Sequence, residues 1–122
     1  MMMQDGLILA CIIVAIHWLA DFVLQSQWMS LNKSKNSLAL LTHVAIYTTV
    51  WFAAGFFHFT GWKSLLLFTG ITFITHFCID YVTSRLSSKY FAAGQSRRGF
   101  MVVGFDQLLH YIQLFLCFHF LR

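Results

Sequence analysis

Three pairs of residues with the chemistry to bind a cation or move a proton recur at one spacing. They are His17 and Asp21, His76 and Asp80, and Asp106 and His110, each four positions apart. On a helix that spacing stacks two side chains on one face. Imidazole and carboxylate together suit zinc, manganese, iron and similar divalent metals. Each pair sits inside a long apolar stretch, where ionisable groups are costly and mark function by default. His43 is a seventh candidate in a fourth stretch, and Gln25 extends the His17–Asp21 face by one turn. The three aspartates have no Lys or Arg at their depth. A carboxylate in hydrocarbon must be neutralised by a proton or a cation. The compensators left are protonated histidines and bound metal.

The elements that position these residues follow from composition. Of the 122 residues, 59% are hydrophobic and 10% are charged, where about 25% charged is usual in soluble domains. So few charges cannot cover so apolar a soluble surface. Four stretches, about 6–27, 38–57, 64–84 and 100–121, each approach the ~20 residues that cross a bilayer core. Their apolar character is continuous, not alternating, and only helices or closed barrels satisfy a backbone in lipid. The expected fold is therefore all-α: a bundle of four transmembrane helices in a single domain over residues 1–122. The chain contains no proline, so no proline kinks are expected. The N-terminal stretch lacks the basic n-region of a cleaved signal peptide.

Successive helices run in opposite directions, and this brings all seven residues to one depth. Each lies about 5–10 residues, or roughly 8–15 Å at ~1.5 Å per residue, from the same end of the bundle. The connections at that end carry Lys33, Lys35, Arg85, Lys89, Arg97 and Arg98, while the opposite side has Lys63 and Arg122. The positive-inside rule puts the six-charge end in the cytoplasm and both termini outside. Trp28, Trp62 and Tyr90 fall near the expected interfaces, and His58 and His119 belong to the far side. The net charge of +4 therefore points to anionic lipid head groups and not to nucleic acid. Cys11, Cys78 and Cys117 share no C-x-x-C spacing and read as apolar packing residues.

A single buried His–Asp pair serves equally well as a hydrogen bond between helices. Three pairs and His43 in one layer favour a metal site, with a proton path and helix-to-helix bonding as the other readings. One tetrahedral zinc takes four ligands. Seven candidates exceed that, so one or two ions are expected, with some aspartates orienting a ligating histidine.

The string His17-Trp-Leu-Ala-Asp21-Phe22-Val-Leu24-Gln25, followed by Trp28 and Lys33, resembles the opening signature of an uncharacterised bacterial and phage membrane family, domain of unknown function three-three-zero-seven. Leu41-Thr-His43, His76-Phe-Cys-Ile-Asp80 and Phe105-Asp106-Gln107-Leu-Leu-His110 resemble its later motifs. The resemblance covers nearly the whole chain. It implies four helices and one His/Asp site in the bacterial inner membrane, and no known activity. Where the family pattern places a Lys soon after the third-helix Asp, this chain has Tyr81-Val82-Thr83, and Arg85 is the nearest basic residue. A more distant likeness is to membrane-bound metal-dependent hydrolases. The motifs of phosphatidic-acid-type phosphatases, metalloproteases, serine proteases and desaturases are absent.

The reading reached from sequence is a metal-dependent hydrolase acting on a lipid or lipid-linked substrate near the cytoplasmic leaflet. His17, His43, His76 and His110 are the expected nitrogen ligands. Asp21, Asp80 and Asp106 are the expected oxygen ligands, one doubling as general base. Gln25, Gln107, Lys33 and Arg85 are expected behind the ligands or against substrate. Zinc or manganese is the expected metal. Membrane lipids are the expected partners, and a homo-oligomer is compatible with the pattern. Two alternatives use the same residues: a small proton or metal-ion transporter or channel subunit, and an accessory membrane protein that binds a host partner.

Overall fold

The computed structural model describes residues 2–121, so Met1 and Arg122 lie outside it, the latter with its expected place on the far side. The described chain is all-helical. Four helices are long and apolar enough to cross a membrane: Met3–Val23, Ser37–His58, Trp62–Ala92 and Ser96–Phe120. The protein is a polytopic helical bundle. Its burial is arranged for lipid. Leu66 and Ile74 are 60% and 63% exposed, while His76, on the same helix, is 0% exposed. In water this would place large apolar side chains in solvent and ionisable groups in the core, against both preferences.

Helix α1 spans Met2–Trp18 and passes directly into a π-helical turn, Leu19–Val23. The backbone N–H of Leu24 bonds the carbonyl of Leu19 at 3.0 Å, five residues back. Such wide turns inside helices concentrate at functional sites, and this one carries the buried Asp21. The first connection, expected as loop, contains a short helix α2, Gln27–Asn32. It starts where Ser26 accepts the Met29 N–H, which satisfies an otherwise orphaned donor. Asn36 caps α3, Ser37–His58, by accepting the Leu38 N–H.

Helix α4, Trp62–Ala92, has 31 residues, about 46 Å at ~1.5 Å per residue, against a hydrocarbon core of about 30 Å. It therefore continues well past its expected end at residue 84 and is longer than the core it has to cross. The basic segment 85–99, expected as a loop, is mostly helix because nothing in it breaks one before Gly94. There the chain turns. Gly94 adopts φ +72°, a left-handed conformation in which glycine is unstrained. Its N–H bonds the Phe91 carbonyl while the Gln95 N–H bonds that of Tyr90, the paired closure that ends many helices. Helix α5, Ser96–Phe120, returns along α4. Gly99 allows the two helices to approach here: a Cβ at that position would lie 2.6 Å from the Phe91 ring.

The interior divides into two halves. One is an apolar cluster of Ile13, Ala20, Tyr47, Trp51, Phe59, Leu65, Phe68, Leu114, Cys117 and Phe118. The other is polar and holds the His and Asp residues.

Candidate metal centre

The spacing i, i+4 places His76 above Asp80 on α4 and Asp106 above His110 on α5, and both pairs face inward. His17, Asp21, His43, His76, Asp80, Asp106 and His110 are all at most 8% exposed. Four of them form a tight set. His43 Nε2 lies 2.9 Å from Asp21 Oδ1, 3.1 Å from His76 Nε2 and 3.4 Å from Asp80 Oδ2. His76 Nε2 lies 3.5 Å from Asp21 Oδ1 and 3.4 Å from Asp80 Oδ2. Ligand atoms from all four lie within 4.8 Å of one another. A tetrahedral ion with bonds of about 2.1 Å separates its ligand atoms by about 3.4 Å. The spacing and the donor set both fit such an ion, so this buried group could hold one. Asp21, Asp106 and His110 form a second group within the same limit, and Asp21 belongs to both.

His17 joins neither group. Both ring nitrogens are hydrogen-bonded: the Tyr47 hydroxyl donates to Nδ1 at 2.9 Å, and Nε2 donates to Gln107 Oε1 at 2.6 Å while standing 3.4 Å from Asp21 Oδ2. The tautomer follows from Gln107 Oε1, which can only accept. Gln107 then donates from Nε2 to Asp21 Oδ2 at 3.1 Å and to Asp106 Oδ2 at 2.9 Å. A hydrogen-bonded chain thus runs from Tyr47 through His17 and Gln107 to two carboxylates. Such outer contacts orient ligands and raise their basicity. The rings of His76 and His110 are held differently. Their Nδ1 atoms have no hydrogen-bond partner. Instead they stack on each other at 4.2 Å between centroids, and Tyr47 stacks on His76 at 3.8 Å.

Among the described residues Lys33 is the one lysine or arginine paired with these carboxylates. Its Nζ donates to Asp80 Oδ2 at 3.0 Å, and the side chain is 20% exposed. Burial lowers the Lys33 pKa, but the nearby carboxylates Asp80 and Asp21 outweigh it and hold the pKa above its ordinary value. Asp80 Oδ1 takes a separate bond from His110 Nε2 at 2.9 Å. Three carboxylates against one ammonium leave two negative charges for protonated histidines or a divalent cation to balance.

The site opens into one cavity of about 250 Å³ between the α1–α2 connection, α4 and α5. Asp21, Asp106 and Gln107 lie at its floor, with Lys33 and Gln25 in its walls. The structure brings six of the seven expected ligands into the two groups and gives His17 hydrogen-bonding contacts instead. Gln25, Gln107 and Lys33 are at the site. Arg85 is not: its guanidinium bonds the Tyr81 carbonyl and covers the Tyr81 ring at 3.6 Å.

Sequence reasoning missed Tyr47 and Thr83. Thr83 donates a short hydrogen bond to Asp106 Oδ1. Both carried a signal. Tyr47 lies four residues after His43, and Thr83 three after Asp80, on helix faces already marked as inward.

The model of the family described as Protein of unknown function (DUF3307) matches residues 8–122. The chain belongs to that family. No curated protein and no solved structure matches it.

Proposed function

We propose that this member of the family is a membrane-embedded metalloenzyme that hydrolyses a lipid or lipid-linked substrate at the leaflet next to the basic connections. The observation that carries the metal reading is the five separations of 2.9–3.5 Å that His43 Nε2 and His76 Nε2 make with each other and with Asp21 Oδ1 and Asp80 Oδ2. Zinc or manganese suits these donors, with a second ion at Asp21, Asp106 and His110 where two are bound. A divalent ion there would act as a Lewis acid and lower the pKa of water to about 7.

The chain's own residues do the rest. Asp106 is 8% exposed and faces the cavity. It is held by Thr83 and Gln107, so its carboxylate can take a proton from water at the cavity floor. Gln107 and His17 fix Asp21. Lys35, Lys89, Arg97 and Arg98 lie in or beside the connections at this end, where each basic residue near an anionic leaflet contributes about 1 kcal/mol. By loop charge this end is cytoplasmic, and the family resemblance points to the bacterial inner membrane.

Transport through the same residues would need a path out of the other end. In that half Tyr47, Trp51, Phe68 and Leu114 are each 0% exposed, and the second cavity there is lined by Leu9, Ile13, Phe115 and Phe118 and by none of the His/Asp site. This favours a site with a single entrance. The test is elemental analysis of purified protein, followed by incubation with bacterial lipids in vesicles and mass spectrometry of products. One or two divalent ions per chain are expected, lost in Asp80→Asn, with product that requires them. Metal-free wild-type protein that remains folded would sink the proposal.

A further inference from the structure

The cavity has a composition of its own above the metal ligands. Five serines line it: Ser30 and Ser34 from the α2 side, and Ser84, Ser87 and Ser88 from α4. Ser84 is only 9% exposed, and its hydroxyl has no hydrogen-bond partner. Gln25 Oε1 is also buried without a donor. Buried polar atoms are ordinarily paired, and an unpaired one in a native fold calls for an explanation. Both residues line the same cavity.

The sign of the unmet demand is informative. The cavity's carboxylates, Asp21 and Asp106, and the Gln25 carbonyl accept hydrogen bonds. Serine hydroxyls both donate and accept. The single lysine in the walls is already bound to Asp80. The Gln25 carbonyl, as it is oriented, therefore calls for a donor, and the Ser84 hydroxyl can take either a donor or an acceptor. In that orientation a bare phosphate, which brings only acceptors, leaves the Gln25 carbonyl unmet. A choline head group brings no N–H or O–H at all. A head group bearing several hydroxyls meets Gln25 with a donor and Ser84 with either partner.

We propose that the cavity is a subsite for a hydroxyl-rich head group, of the glycerol or glycosyl kind, on a lipid whose cleaved bond lies over the Asp21–Asp106 floor. This rests on the hydrolase reading for the cleavage, but the recognition stands on the cavity alone. Ser84 and Gln25 are specificity residues here, and neither Ser84 Oγ nor Gln25 Oε1 is hydrogen-bonded to a ligand group of the metal.

The test uses two lipids of equal charge. Phosphatidylglycerol and phosphatidylmethanol each carry one negative phosphate, and only the first has head-group hydroxyls. Protein in detergent is mixed with both, and bound lipid is counted by native mass spectrometry with metal content measured on the same sample. A preference of about 10-fold for phosphatidylglycerol is expected. Ser84→Ala and Gln25→Leu should each lower it by about 3- to 10-fold, the size of one hydrogen bond. Gln25 is partly exposed, so its variant remains informative if Ser84→Ala folds poorly. Equal binding of the two lipids, or an undiminished preference in both variants, overturns the proposal. Selectivity without bound metal supports the subsite while removing the hydrolase reading. Bound metal without selectivity does the reverse.

Discussion

Replacing Lys33 with methionine should tighten metal binding, although it removes a residue from the site. The Lys33 ammonium sits 3.0 Å from Asp80 Oδ2, the same oxygen that stands 3.4 Å from His43 and His76 Nε2. It occupies the position from which a cation would contact Asp80. An ammonium and a divalent ion about 4 Å apart would repel by about 8 kcal/mol at an effective dielectric of ~20. The hydrogen bond to a charged group is worth only about 1.5–3 kcal/mol. The ammonium must therefore leave when an ion enters, and that bond is lost on binding. Lys33→Met removes the competitor, so the ion gains about 1.5–3 kcal/mol, or roughly 10- to 100-fold in affinity at ~1.4 kcal/mol per decade. The thioether fills the space without a charge. Lys33→Arg keeps the charge and should stay near wild type. The assay is competition against a chromophoric zinc chelator with detergent-purified protein. Unchanged or weaker zinc binding in Lys33→Met would refute the reasoning and make Lys33 a support of the bound ion.

His43→Ala should abolish stoichiometric metal, while His17→Ala should retain it with affinity reduced about 10- to 100-fold, the usual effect of losing an orienting contact; elemental analysis across a chelator series separates the two. Gly99→Ala would bring a methyl to 2.6 Å from the Phe91 ring; Phe91 is 39% exposed and can swing outward, so a thermal melt should show a cost of no more than about 1 kcal/mol. The raised Lys33 pKa gives a pH signature in metal-free protein. Stability from the Lys33–Asp80 pair is fully present below the ordinary lysine value of 10.5 and is lost as pH rises through the higher folded value. Melting temperature should fall in that window for wild type and fall less in Lys33→Met. A reporter fused to the C-terminus should be active only in its extracytoplasmic form.

The four spans and their inward faces were legible because two independent signals coincided: apolar length, and His–Asp pairs one turn apart. What hid from the sequence was backbone irregularity and extension. The π turn at Leu19–Val23 has no proline or glycine to announce it, and it arises where Asp21 must reach Gln107 and His43 at once. Helix α4 continues to Ala92, since residues 85–92 favour neither lipid nor a turn, and hydropathy ends where the membrane does, not where the helix does. His17 was legible as a buried site residue. Its engagement by Tyr47 and Gln107 depends on contacts across helices 30 and 90 residues apart, which one-dimensional spacing cannot carry.

The division of the interior also explains why the cluster can exist in so small a bundle. Seven ionisable residues are expensive in hydrocarbon, and the fold lowers that cost by pairing them with one another. Asp21 bonds His43 and Gln107, Asp80 bonds Lys33 and His110, and Asp106 bonds Thr83 and Gln107. Each aspartate therefore receives bonds from at least two helices or connections. The cluster is both the site and the polar fastening of the end where the cavity enters, while Trp51, Phe68 and Phe118 fasten the other half by packing. Removing one carboxylate should then loosen one end of the bundle and not the other. In hydrogen exchange, Asp80→Asn should speed exchange in α2 and the C-terminal part of α4 while leaving the segment around Trp51 protected. Uniform loss of protection along all four spans would show instead that the two halves fold as one unit.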